Sequence, residues 1–163
     1  MSVLKSDIKF YGSQGGNLGG LPDLQNEIIF GVSDNFLTRI TGQQALSGLV
    51  DHHCLYVVNN SVADALNEVH AYLQTISLGS TMHIELGISS LAASIPELQQ
   101  QYPTDIPNGV TFSRAIDADS ALDLGTLGAG GGYRGIWVKR TIEPNTPANF
   151  HALIRLLVVG DTV

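Results

Sequence analysis

Turn chemistry returns along this chain about every ten residues, which leaves room for short strands and for little else. Ser33-Asp34-Asn35, Asn59-Asn60-Ser61, Pro107-Asn108-Gly109 and Gly130-Gly131-Gly132 are such clusters. Between them lie short runs rich in β-branched and aromatic residues: Glu27–Val32, Cys54–Val58, Val110–Arg114, Leu122–Gly128, Tyr133–Thr141 and Ala152–Val159. The clearest alternation is Met82–Ser89, where Met82, Ile84, Leu86 and Ile88 share one face and His83, Glu85 and Ser89 the other. Even spacing of this kind predicts an all-β fold, an antiparallel β-sandwich.

Two segments admit a helix. Leu66, Val69, Leu73 and Ile76 fit a helical stripe, while Val69, Ala71 and Leu73 fit strand alternation, and the neighbouring strands favour the second. Ser90–Gln101 reads as a short helix or a decorated loop, and Thr41–Gly48 as one helical turn closed by Gly48. The predicted core is Tyr56, Ile84, Leu86, Ile88, Ile136, Trp137, Val138 and Leu156, with Ile136 and Val138 opposite Trp137 on their strand. The last strand, Ala152–Val159, is apolar on both faces except for Arg155, which predicts a central position or a place against a partner.

The first 25 residues are predicted to form an extended arm, with the sandwich spanning 26–163. Its glycine stretch, Gly12 to Gly20, has too little side-chain mass to build a core and costs much entropy to fix. Ile8, Phe10, Tyr11, Leu18 and Leu21 are then the residues expected to reach onto a neighbouring subunit.

Charge narrows the function. The 163 residues carry eight Lys and Arg against 15 Asp and Glu, a net charge of −7, with the basic side chains scattered; nucleic acid is therefore not an expected partner. Charged residues make up only 14% of the chain, so the expected surface is the uncharged kind that protein contacts use. No apolar run approaches 18 residues, so no membrane span is expected, and Met1–Phe10 lacks the apolar centre of a secretory leader. Cys54 is the single cysteine, which excludes an intrachain disulfide and suits a reducing compartment.

The motifs that invite chemistry each lack a necessary part. Gly132 is followed by Tyr133-Arg134-Gly135 and a β run, where a phosphate loop needs Lys-Ser/Thr and a helix. His52 and His53 would point to opposite faces of a strand, and no His-x-His or Cys-x-x-Cys pair backs them up, so no metal is expected, while convergence of His70, His83 and His151 in space stays open. Asp117–Asp123 opens like a calcium loop but has Leu122 at the position of its glycine and Gly128 at that of its closing glutamate. Cys54 sits within an apolar strand and reads as packing. No catalytic residue and no cofactor is expected. Two other readings stay open: acid–base catalysis by an unidentified carboxylate pair, and glycan binding through Tyr11, Tyr102 and Tyr133, for which 7% aromatic content is thin.

Cys54–Ser61 resembles a strand of an immunoglobulin-like module, and Ala121–Gly130 followed by Gly135–Thr141 resembles its matching second half. With Ile40–Ala45, Gly109–Ser113 and Leu157–Thr162, these blocks are similar to small structural proteins of tailed bacteriophages, over most of the chain from Ile28 on. The resemblance implies an immunoglobulin-like β-sandwich in the virion: a capsid decoration (cement) protein, or a neck, tail or baseplate component. It implies assembly in the host cytoplasm with itself and with major capsid or tail proteins; closed cyclic symmetry is the general expectation for such self-association, and a trimer or hexamer would suit a capsid or tail. No catalytic residue is carried over.

Overall fold

A computed structural model describes residues 2–29, 36–147 and 153–162, the side chains of 75–77 and 153 excepted. The chain is an all-β sandwich of two packed antiparallel sheets. Among the described residues nine strands run in chain order: β1 Ile8–Ser13, β2 Pro22–Glu27, β3 Leu49–Asn59, β4 Leu66–Ser77, β5 Met82–Ser89, β6 Val110–Ser113, β7 Leu122–Leu127, β8 Gly132–Ile142 and β9 Leu153–Thr162. The large sheet has the order β2-β1-β3-β8-β5-β6, and the small one β7-β4-β9.

Pairing is nested. β5 pairs with β6, β4 with β7, and β3 with β8, so the chain from Leu49 to Ile142 doubles back on itself and rolls up. Alternation then sorts each strand. Leu55 and Val57 of β3, Ile136, Val138 and Ile142 of β8, and Met82, Ile84 and Leu86 of β5 face inward, against Val69, Ala71 and Leu73 of β4. Ile88 and Leu156 lie at the margin of this core and are only half-buried. Leu66 and Val69 are three apart, yet both are buried, because Glu68 takes φ +48° where the β4 register shifts. That bulge is the physical source of the helix-like spacing.

Cys54, Tyr56, Val58 and Trp137 form a second buried cluster on the other face of the large sheet. Residues 90–109 cover it as a loop, and Ser90–Gln101 holds no helix. The helical turn at Gly42–Ser47 forms as expected. Thr41 Oγ1 accepts the Gln44 N–H at 3.2 Å, Gln44 Oε1 accepts the Thr41 N–H at 2.9 Å, and Gly48 ends the turn at φ +83°.

The N-terminal arm is a correction. β1 pairs with β3 from Ile8↔Asn59 to Gly12↔Leu55, and β2 pairs with β1, so no boundary falls at residue 25. The glycines permit this by leaving room for a side chain at Gly12 and for another backbone at Gly19. A Cβ at Gly12 would lie 2.3 Å from Asn17 Oδ1, and one at Gly19 would lie 2.4 Å from the Leu98 carbonyl. Leu18 is buried in this turn, and Leu21 is exposed. Phe30–Asn35, which end the first run and form its turn, lie outside the described residues, as do His151 and Ala152.

Candidate assembly interface

Two buried polar clusters brace the large sheet. On its outer side the Glu97 carboxylate accepts the Trp137 Nε1–H at 3.0 Å and the Ser89 Oγ–H at 2.9 Å. The Glu97 N–H donates to Tyr56 Oη at 2.7 Å, while Tyr56 donates its own hydroxyl proton to the Gly20 carbonyl. Burial pushes both the Tyr56 hydroxyl and the Cys54 thiol above their ordinary values. The cluster ties the loop and the N-terminal turn to the sheet.

On the inner side Arg140 clasps Asp51, its Nε donating to Oδ1 at 3.0 Å and its Nη2 to Oδ2, while Nη1 donates to the Thr38 carbonyl at 2.8 Å. His53 Nε2 meets Asp51 Oδ2 at 3.2 Å. Burial alone would raise the Asp51 pKa, but the hydrogen bonds from His53 and Arg140 outweigh it and hold the carboxyl below its ordinary value. His52 points the other way, as the strand period requires, and packs on Phe112 with ring centroids 5.4 Å apart.

The other motifs are spent on turns. Gly130 and Gly131 donate their amides to the Ser61 and Asn59 carbonyls at 2.6 and 2.8 Å, so the glycine run serves the fold. Asp117 Oδ1 accepts from Ser120 N–H at 2.9 Å and Ser120 Oγ–H at 2.6 Å. Among the described residues no three His, Cys, Asp or Glu side chains gather around a point that could hold an ion. Tyr11 and Tyr133 pack toward Tyr56, and Tyr102 is exposed on the loop.

What stays open is one flank of the sandwich. A groove of about 1150 Å³ runs between β9 and the N-terminal strands, lined by Ile8, Phe10, Ile28, Leu66, Leu156 and Val158 among others. Its lining is mostly apolar because the large sheet has six strands and the small one three. β7 packs over β5 and β8, and among the described residues β9 forms the other edge of the small sheet, across the groove from β1 and β2. Ile8 and Phe10, expected on an arm, lie on this wall as part of a strand; Tyr11 points to the other face of its strand, and Leu18 and Leu21 lie elsewhere.

The edges of the two sheets differ in protection. β2 begins at Pro22 and carries Asp23 and Glu27, β6 is four residues long, and β7 holds Asp123 and Gly125 at φ +74° beside a register shift. These features discourage further pairing. β9 runs for ten residues, has no proline and carries charge only at Arg155 and Asp161. Among the described residues it pairs with β4 alone. Val159 is 46% exposed on it. Apolarity on both faces marks this strand in the sequence, whereas its place at the edge of a three-stranded sheet follows only from the pairing. No family model, no curated protein and no solved structure matches this chain.

Proposed function

We propose that this chain is a non-enzymatic structural protein that self-associates and docks on a larger protein shell, as a capsid decoration protein of a tailed bacteriophage or as a neck, tail or baseplate component. The observation that supports assembly is the long, unprotected β9 edge beside an apolar groove. Unpaired strand groups and exposed apolar surface are both costly in water, and a covering chain relieves both at once. The virion setting rests on the resemblance of Cys54–Ser61, Ala121–Gly130 and Gly135–Thr141, with Ile40–Ala45, Gly109–Ser113 and Leu157–Thr162, to small phage structural proteins.

Mass photometry of the purified full chain tests the reading. A closed trimer or hexamer is expected, as cyclic symmetry favours, together with retention on phage heads or tails in a pelleting assay. A solitary chain that pellets with neither rejects it.

A further inference from the structure

We infer that the Asn108-Gly109 turn modifies itself: the Gly109 amide nitrogen attacks the Asn108 side chain, and the isoaspartyl link that results loosens β6 from the edge of the large sheet. This turn lies outside the groove, and the inference is independent of the assembly reading above.

Such a reaction needs an asparagine whose following amide nitrogen is both unshielded and uncommitted. Asn108 is the one asparagine in the chain followed by glycine. A Cβ on the following residue would shield that nitrogen, and glycine has none. The turn itself demands the glycine, because residue 109 sits at φ +72°. Asn108 and Gly109 are both exposed, and a Cβ at Gly109 would meet nothing within 4 Å, so a ring has room to form. Among the described residues the Gly109 N–H makes no hydrogen bond. Other asparagines differ on this point. After Asn59 the Asn60 N–H donates to the Asp7 carbonyl at 2.8 Å, and after Asn60 the Ser61 N–H donates to Asn59 Oδ1 at 3.0 Å. After Asn145 the Thr146 N–H donates to the Ala45 carbonyl at 3.0 Å. A nitrogen so engaged keeps its proton and its place.

The reaction balances with water alone. The Gly109 nitrogen gives up its proton and bonds to Asn108 Cγ, the Cγ–Nδ2 bond breaks, and the side-chain amide leaves as ammonia. The cyclic imide then takes up one water. Entry at Cγ reopens it to an ordinary aspartate. Entry at the main-chain carbonyl carbon leaves the chain running through the side chain, longer by a methylene, as isoaspartate. Both products add a carboxylate to a chain already at −7. Only the second alters the backbone, and it does so between two fixed points. Pro107 is buried on one side; on the other, Val110 pairs with Ser89 and packs against the cluster of Cys54, Tyr56, Val58 and Trp137. β6 has four residues and pairs with β5 alone, so displacing its first pair undoes much of its hold.

The test warms the full chain for days at mildly alkaline pH, where the attacking nitrogen loses its proton more readily, and follows it by peptide mapping and by labelling with an isoaspartyl methyltransferase. Loss of Asn108 is expected to run about tenfold ahead of every other asparagine and to give two products of equal mass. Asn108→Gln, an exposed change, is expected to fold normally and to remove the label. Hydrogen exchange in Val110–Ser113 is expected to be about tenfold faster in the aged wild type than in aged Asn108→Gln, with β3 and β8 unchanged. Asn108→Asp carries the new charge on an ordinary link and is expected to exchange like the fresh chain. Loss at Asn108 no faster than at Asn60 or Asn145 overturns the inference outright. Conversion that leaves β6 exchange unchanged, or equal loosening in Asn108→Asp, overturns the part assigned to the lengthened backbone.

Discussion

Gly135 of β8 and Glu97 of the covering loop fit one another. A Cβ on residue 135 would lie 2.4 Å from Glu97 Cγ and 2.8 Å from its Oε1, and Glu97 is held from moving by Trp137 and Ser89. Gly135→Ala is therefore expected to cost about 1–3 kcal/mol in a urea melt, the usual penalty of overpacking. Its backbone φ is ordinary, so the loss would come from the clash alone. Unchanged stability would mean that the loop gives way.

Trp137 is 1% exposed and carries both the apolar mass and the proton donor of that cluster. Trp137→Ala is expected to cost about 3–5 kcal/mol. Trp137→Phe keeps much of the ring but leaves Glu97 Oε2 without its donor, for about 1–3 kcal/mol. A loss under about 1 kcal/mol for the alanine variant would contradict the burial.

Asp51 and Arg140 are both buried, so removing one partner strands the other charge. Asp51→Asn is expected to cost about 3–5 kcal/mol. The carboxyl is depressed in the folded state, so its stabilisation is complete above about pH 3.9 and is lost as pH falls through the lower folded value. Urea melts between pH 2 and 5 should fall more steeply with acid for the wild type than for Asp51→Asn. Parallel curves would refute the assignment.

His52 adds a second acid limb at higher pH. Burial lowers its pKa, so the folded chain prefers the neutral ring while the unfolded chain takes up a proton near pH 6.5. Stability is expected to decline as pH drops below that point, and His52→Gln should flatten this limb without touching the one below pH 4.

Several of these relationships could be anticipated from residues and others could not. The faces of Met82–Leu86, the split of His52 from His53, and the burial of Trp137 follow from a period of two and needed no tertiary knowledge. Glu97 could not be found that way. It sits in a segment with both helix and loop character, and its role depends on Gly135, which lies beside it only after the loop has folded across β8. The division into six and three strands was equally hidden, because alternation tells which way a side chain points but not which strand lies next. The arm misled for a related reason. Glycine-rich sequence signals freedom when read alone, whereas Gly12 and Gly19 here allow contacts that a side chain would block.

Cys54 supplies a simple chemical check. It is buried, and its thiol is pushed well above the ordinary value, first by burial and then by the Glu97 charge. A disulfide reagent at pH 8 should leave the native chain essentially unmodified and label one thiol in urea. Rapid native labelling would show that the loop opens readily.

Because Leu49 pairs with Ile142, and Met82–Ser89 with Val110–Ser113, the molecule closes from its middle outward. β1, β2 and β3 are neighbours early in the chain, whereas β3 finds its other partner, β8, only across about 80 residues. Folding of such a chain is governed by the joining of distant segments and is slow for its size. The strand made last is β9, so the small sheet is completed only when the far end of the chain pairs with β4.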